Sequence, residues 1–268
     1  MSVAELLAAP QLELMPTRDA ADRFEGLPEG ATVTVTCAPR RGLAPTLDLV
    51  ERLAARGFRA VPHLAARQVR DAAELAETLG RLDRAGVREA FVVAGDAVVP
   101  AGEFPDGPAL LRAMDRLGHS LTRIGVPGYP EGHPSVPDDA LWAALREKQR
   151  FAHYVVTQMC FDAAALRGFV AEARRRGIAL PVLVGLPGAV DAGTLLRLGV
   201  RIGVGDSLRF ALGHRGVAGT LLRPGRYRPD TLLGELDSGE FAGLHLFTFN
   251  QVEPTLRWLA EARRRAAA

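Results

Sequence analysis

Along nearly the whole of this 268-residue chain, short runs with strand character alternate with longer runs patterned as amphipathic helices. The strand-like runs are Gln11–Met15, Thr32–Cys37, Ala60–Leu64, Ala90–Ala94, Arg123–Val126, Tyr154–Gln158, Pro181–Gly185 and Leu244–Thr248. Several are dense in Val and Thr, whose branched side chains suit a pleated surface. Helical spacing marks Pro45–Arg56 (Leu49, Val50, Leu53), Asp71–Ala85 (Leu75, Leu79, Leu82) and Asp106–Leu117 (Leu110, Met114, Leu117). It continues in Asp138–Arg150, Asp162–Arg176 and Val252–Ala266, the last carrying Leu256, Trp258 and Leu259. Gly57, Gly86, Gly118 and Gly177 stand where four of these helices should stop. Strands separated by helical crossovers pair parallel, whereas tight turns return the chain antiparallel. Eight such strands, with a helix after the last, suit closure into a barrel. An open doubly wound sheet is the rival, but no G-x-G-x-x-G follows the first strand. The expectation is an α/β fold: a single (β/α)8 TIM barrel spanning residues 1–268, with no linker. Segment 203–240 is longer than a plain connection and reads as loop plus one or two short helices. Its Gly203–Ser207 (GVGDS) reads as a tight turn in preference to a phosphate cradle.

Composition narrows the function classes. Apolar residues make up 48% of the chain, enough for a large core, and the formal charge is only +2. No basic stripe interleaved with aromatics appears, so nothing supports nucleic-acid binding. Cys37 and Cys160 lie far apart and read as reduced thiols. No apolar run approaches a membrane span, and the first ten residues lack a cationic start to a leader, so a cytoplasmic protein is expected. The six histidines are dispersed without metal-ligand spacing, so no metal site is expected. Lys148 is the only lysine and Asn250 the only asparagine, a weak pointer that their chemistry is needed.

Side chains at the C-terminal ends of barrel strands converge on one mouth. The polar candidates there are Glu13, Thr36, His63, Asp96, Tyr129, His133, Gln158 and Asn250. Glu13 lies between two leucines, so it faces away from them. It is either an inward carboxyl suited to acid work or a solvated carboxylate at the rim. His63 is a core histidine or a ligand-binding one, and Asp96 after Gly95 is a turn residue or a site carboxylate. Gln158 ends an apolar strand, where its amide needs several partners that a polar heterocycle would supply. Tyr129 and His133 sit in a loop rich in Pro and Gly. The set has an acid, an amide and rings, but no covalent nucleophile, and suits moving a hydride or a proton on a heterocycle.

The stretches Leu12–Pro16 (LELMP), Val35–Thr36, Pro62–Leu64, Gly95–Asp96, Gly128–Pro134 (GYPEGHP), Val156–Gln158 with Phe161–Asp162, and Leu244–Asn250 (LHLFTFN) resemble the methylenetetrahydrofolate reductase family. They fall in that family's order and span nearly the whole chain. The resemblance implies a (β/α)8 barrel that reduces 5,10-methylenetetrahydrofolate to 5-methyltetrahydrofolate with a nicotinamide as electron source. By resemblance, Glu13 is the acid that protonates N10 and opens the five-membered ring. Asp96 is the carboxylate facing the pterin, and Gln158 is the amide that binds it. Thr36, His63, Tyr129 and His133 correspond to the flavin side of the family site, and Lys148 to a basic residue near the cofactor.

The chain departs from that pattern on the flavin side. Ala94 stands where a basic residue is usual, and 104–109 (FPDGPA) replaces an aromatic element. Leu141, Ala144 and Glu147 stand where family members present polar and basic groups to FAD, and only Lys148 is kept. Glu147 would set negative charge beside a diphosphate, a repulsion of roughly 1–4 kcal/mol near a surface. The expectation is therefore a flavin-independent member with NADH, or NADPH, as the direct hydride donor. Thr36, His63, Tyr129 and His133 would then line the nicotinamide, and Lys148 would hold a dinucleotide phosphate. The alternatives are an FAD-dependent reductase and a non-catalytic folate-binding subunit of a methyl-transfer complex.

Overall fold

The computed structural model describes residues 2–17, 26–37, 41–195, 226–236 and 238–267. Eight strands form one closed, all-parallel barrel in sequence order: β1 (Gln11–Leu14), β2 (Thr32–Val35), β3 (Arg59–Ala65), β4 (Glu89–Val93), β5 (Arg123–Gly128), β6 (Tyr154–Thr157), β7 (Val182–Pro187) and β8 (Gly243–Phe247). β8 closes on β1 with His245 opposite Gln11 and Phe247 opposite Glu13. The helices among the described residues are α1 (Val3–Ala8), α2 (Ala44–Ala55), α3 (Ala72–Arg84), α4 (Gly107–Leu117), α5 (Asp138–Lys148), α6 (Ala163–Arg175), α7 (Asp230–Glu235) and α8 (Val252–Ala267). All eight expected strands and six expected helices are present, with ends shifted by one or two residues. Gly203–Ser207 and most of segment 203–240 lie outside the described residues; α7 and a 3-10 turn at Ser238–Glu240 fall within its described part.

Strands buried on both faces need apolar residues in both directions, and β1, β2, β6 and β7 are buried throughout. One layer of core lies between barrel and helices, where Leu12, Leu14, Val33, Val35, Leu49, Leu53, Leu75 and Leu110 are nearly inaccessible. A smaller cluster fills the barrel itself: Val61, Phe91, Tyr154, Val156 and Leu183. Loops leading into helices end on aspartates. Asp71, Asp106 and Asp162 accept hydrogen bonds from the backbone N–H of Glu74, Ala109 and Ala164, satisfying donors that a helix start leaves open. Gly86 and Gly177 follow α3 and α6 at φ +71° and +76°, a region other residues enter at a cost.

Two features differ from the sequence reading. Leu117, placed on the buried stripe of α4, is 44% exposed because it ends the last turn before Gly118. Helix α1 was not anticipated, although Ser2 and Glu5 form a reciprocal capping box. Six residues make a marginal helix in isolation. This one is held by Leu6 and Leu7, both buried, and by Arg263 of α8, which donates to the Leu7 and Ala8 carbonyls at 2.9 and 2.8 Å.

Candidate active site

Strand parity sends Leu12 and Leu14 outward to the helices and Gln11 and Glu13 into the barrel. Glu13 is only 8% exposed. Its Oε2 lies 3.3 Å from His245 Nε2 and 3.8 Å from His63 Nε2. Phe91 packs against His63, ring centroids 4.8 Å apart, and lies over His245 at 6.5 Å. Burial pushes the His63 imidazolium down to about 4, against the opposing pull of Glu13, so the ring is neutral at pH 7. Among the described residues, His63 Nε2 and Thr34 Oγ1, both facing this space, have no hydrogen-bond partner.

Below Glu13 the barrel is also polar. His245 Nδ1 lies 3.0 Å from Gln11 Oε1, and Gln11 Nε2 donates to Tyr154 OH at 3.2 Å and to Glu89 Oε1 at 3.3 Å. Arg123 covers the Tyr154 ring at 4.5 Å and approaches Glu89 at 3.7 Å. The Tyr154 ring crosses the barrel because β5 has Gly125 there; a methyl group at that position would lie 2.3 Å from Tyr154 Cζ. Burial holds the Tyr154 phenol well above its usual range.

The remaining sequence-predicted residues ring the mouth. Asp96 is exposed after β4, and its charge reaches both Cys37 and Tyr129. Burial first, and Asp96 second, pushes the Tyr129 phenol up to about 12. The Cys37 thiol is pushed up to about 11, chiefly by burial, and is a poor nucleophile. Tyr129 meets the His133 ring edge-on at 5.3 Å. Thr36 is half-buried, its carbonyl accepting from Thr46 Oγ1 at 2.9 Å. Gln158 is half-buried, with Oε1 accepting from Met159 N–H at 3.0 Å, which directs its NH2 away from that bond. His63 lies deeper than these, beside Glu13.

Asn250 is a latch. At φ +61°, it accepts from Met15 N–H at 2.8 Å and donates to Met15 O at 3.1 Å and Thr17 Oγ1 at 3.0 Å. It thus ties the exit of β1 to that of β8, which holds Glu13 and His245 together. Asn250→Ala should cost about 1–3 kcal/mol, the loss expected when buried backbone groups go unpaired. A lower urea midpoint with unchanged slope would show it; an unchanged midpoint would remove the latch.

Lys148, the last residue of α5, is buried at 8% exposure. Burial pushes its ammonium down to about 8, partly offset by Asp106. A methyl group on Gly107 would lie 3.3 Å from Lys148 Cε and 3.9 Å from Nζ, so the ammonium sits against the first turn of α4. With Tyr129, Leu141, Trp142, Ala144 and Phe169 it lines a cavity of about 90 Å³. Glu147 does not face that cavity as charge beside a diphosphate: it pairs with Arg112 of α4 on the outer surface. The repulsion expected of it is therefore absent.

His245 and Gln11 were missed at the sequence level. The parity that singled out Glu13 between two leucines applies equally to His245 between Leu244 and Leu246. Among the described residues, no cluster of three or more His, Cys, Asp or Glu side chains is placed to hold a metal ion. Nor is any described helix long and apolar enough to cross a membrane.

Comparison with known proteins points to one family. A Caenorhabditis elegans protein named "Probable methylenetetrahydrofolate reductase (NADPH)" is 32% identical over 125 residues, covering 41% of this chain and 18% of its own length. The chain thus spans under a fifth of that relative. The solved structure of oxaloacetate acetylhydrolase superposes at a TM-score of 0.54 with 13% identity, over 98% of this chain and 82% of its own, a likeness of fold alone. The sequence model of the family described as methylenetetrahydrofolate reductase matches residues 11–197, from the first residue of β1 past the end of β7. This chain belongs to the methylenetetrahydrofolate reductase family.

Proposed function

We propose that this barrel reduces 5,10-methylenetetrahydrofolate to 5-methyltetrahydrofolate by direct hydride transfer from NADH, with NADPH as the alternative donor. The observation that carries the proposal is Glu13: a carboxyl inside the barrel, hydrogen-bonded to an imidazole and placed where strand ends converge. In the family's chemistry such a group gives its proton to N10 as the C–N bond of the imidazolidine breaks, and the electron pair goes to N10. The 5-iminium cation so exposed takes hydride from the nicotinamide, leaving 5-methyltetrahydrofolate and the oxidised dinucleotide. Asp96 at the mouth would steady the developing cation, and the Gln158 NH2 would bind the pterin. Neutral His63 would add no competing positive charge. Thr36, Tyr129 and His133 would line the nicotinamide.

The flavin side fits FAD poorly. Leu141, Ala144, Trp142 and Phe169 give the α5 cavity an apolar wall where polar and basic groups would be needed to hold FAD, and Lys148 is the one basic side chain among its lining residues. Lys148, beside the α4 N-terminus, would meet one phosphate of the dinucleotide.

The purified protein should show no flavin absorption. Anaerobic NADH oxidation should depend on methylenetetrahydrofolate and be unchanged by added FAD. A stoichiometric yellow flavin reduced by NADH would sink the flavin-free mechanism, and no folate-dependent oxidation with either dinucleotide would sink the reductase itself.

A further inference from the structure

We propose that Glu13 and His245 hold one proton between them, and that His245 is the positioning residue that keeps Glu13 charged with the proton it delivers. This rests on the proposed role of Glu13 as the acid.

Hydrogen-bond directions along the barrel axis lead to it. The Glu89 carboxylate only accepts, so the Gln11 group facing it is the NH2, which also donates to Tyr154 OH. Gln11 therefore turns its carbonyl oxygen to His245 Nδ1, 3.0 Å away. A carbonyl oxygen also only accepts, so Nδ1 carries hydrogen. The other ring nitrogen, Nε2, faces Glu13 Oε2 at 3.3 Å.

Two arrangements satisfy that contact. Either the carboxylic acid donates to a neutral imidazole, or an imidazolium donates to the carboxylate. Each holds one proton and leaves the pair without net charge. Removing it would set a carboxylate oxygen against a nitrogen lone pair, with His245 1% and Glu13 8% exposed. Among the described residues, nothing else facing the pair would compensate. His63 on β3 is held neutral by burial, and β2 offers Thr34 and β7 Leu183 and Gly185, none of which titrates. Further down, Glu89 on β4 is approached by Arg123 of β5. Tyr154 on β6 stays protonated.

Gln11 also ends the path, since an amide that donates and accepts does not pass a proton along. The proton is thus stored beside the mouth and is not drawn through the barrel from its other end. When Glu13 gives its O–H proton to N10, the pair is left one proton short, with acceptor facing acceptor. That strain favours recharging from solvent once product leaves.

His245→Gln keeps a polar partner for both neighbours but cannot hold the proton. Near pH 6 its kcat should stay within about threefold of the unsubstituted enzyme. Near pH 8.5 it should fall by about tenfold or more, with the folate KM changed by less than about twofold, because the basic limb of the profile moves to lower pH. A drop of equal size at all pH values would overturn the proposal and leave His245 a packing residue. A second measurement needs no variant: 15N NMR of the histidine-labelled protein should show His245 protonated at Nδ1 throughout the active pH range. A lone pair at Nδ1 would overturn it even if His245→Gln did not fold. Failure of the acid role itself is seen separately, as full turnover in Glu13→Gln.

Discussion

Glu13→Gln should lower kcat by about 100- to 10,000-fold, the usual contribution of a positioned general acid, while leaving folate affinity within about threefold. The substitution is nearly isosteric in a packed interior. Its NH2 can still donate to His245 Nε2, which lies 3.3 Å from the oxygen it replaces. Fold and pocket are therefore kept, and the proton that N10 needs as its bond to carbon breaks is lost. An interaction made only in the transition state appears in kcat and not in substrate binding. Single-turnover reduction of methylenetetrahydrofolate, paired with equilibrium folate binding, separates the two. Unchanged turnover would remove Glu13 from the chemistry. Lost binding with normal turnover at saturation would make it a pterin ligand. A protein that bound folate but never turned over, before or after substitution, would be the folate-binding subunit instead.

Lys148→Met should raise stability by about 3 kcal/mol at pH 7 and weaken NADH binding at the same time. The ammonium is buried, Asp106 is the one charged group acting on it among the described residues, and it lies against the positive end of α4. A lysine held down to about 8, against an ordinary value near 10.5, carries roughly 3 kcal/mol of penalty whenever it is charged. The sign follows from proton counting. Below pH 8 the lysine is charged folded and unfolded, and the full penalty applies. From about pH 8 to 10.5 only the unfolded chain keeps the proton, so unsubstituted protein gains stability as pH rises. The Met variant lacks that gain, and its Tm at pH 7 should be higher by roughly 6–12 °C. If Lys148 holds a dinucleotide phosphate, the NADH KM should rise by about 10- to 100-fold, the worth of a charge-assisted hydrogen bond. Stabilisation with an unchanged KM would leave the lysine a costly residue with no ligand. No stabilisation at all would mean that the ammonium reaches water.

Much of the barrel was legible because its signals are local. Val and Thr runs such as Thr32–Val35, leucines at helical spacing such as Leu75, Leu79 and Leu82, and glycines such as Gly86 all act through their own few residues of backbone. Parity set Glu13 opposite Leu12 and Leu14, and Asp96 and Gln158 follow the C-terminal ends of β4 and β6, which carries them to the mouth. Contacts between distant segments were not legible. Lys148 stands out in the sequence as the one lysine, but its burial comes from α4, which packs beside it with Gly107. Glu147 reads as charge at the cofactor side until Arg112 of α4 takes it outward.

By itself, then, the sequence determined which segments are strands and helices, that the strands run parallel, and that Glu13 faces away from Leu12 and Leu14, because propensity and periodicity are properties of a few consecutive residues. Only the tertiary structure decided which inward groups meet. Gln11 and Glu13 reach His245 across more than 230 residues because β8 closes on β1 in one register, and Asn250 pins that closure to Met15. Shifting that register by one residue would turn His245 out among the helices and leave Glu13 without its partner.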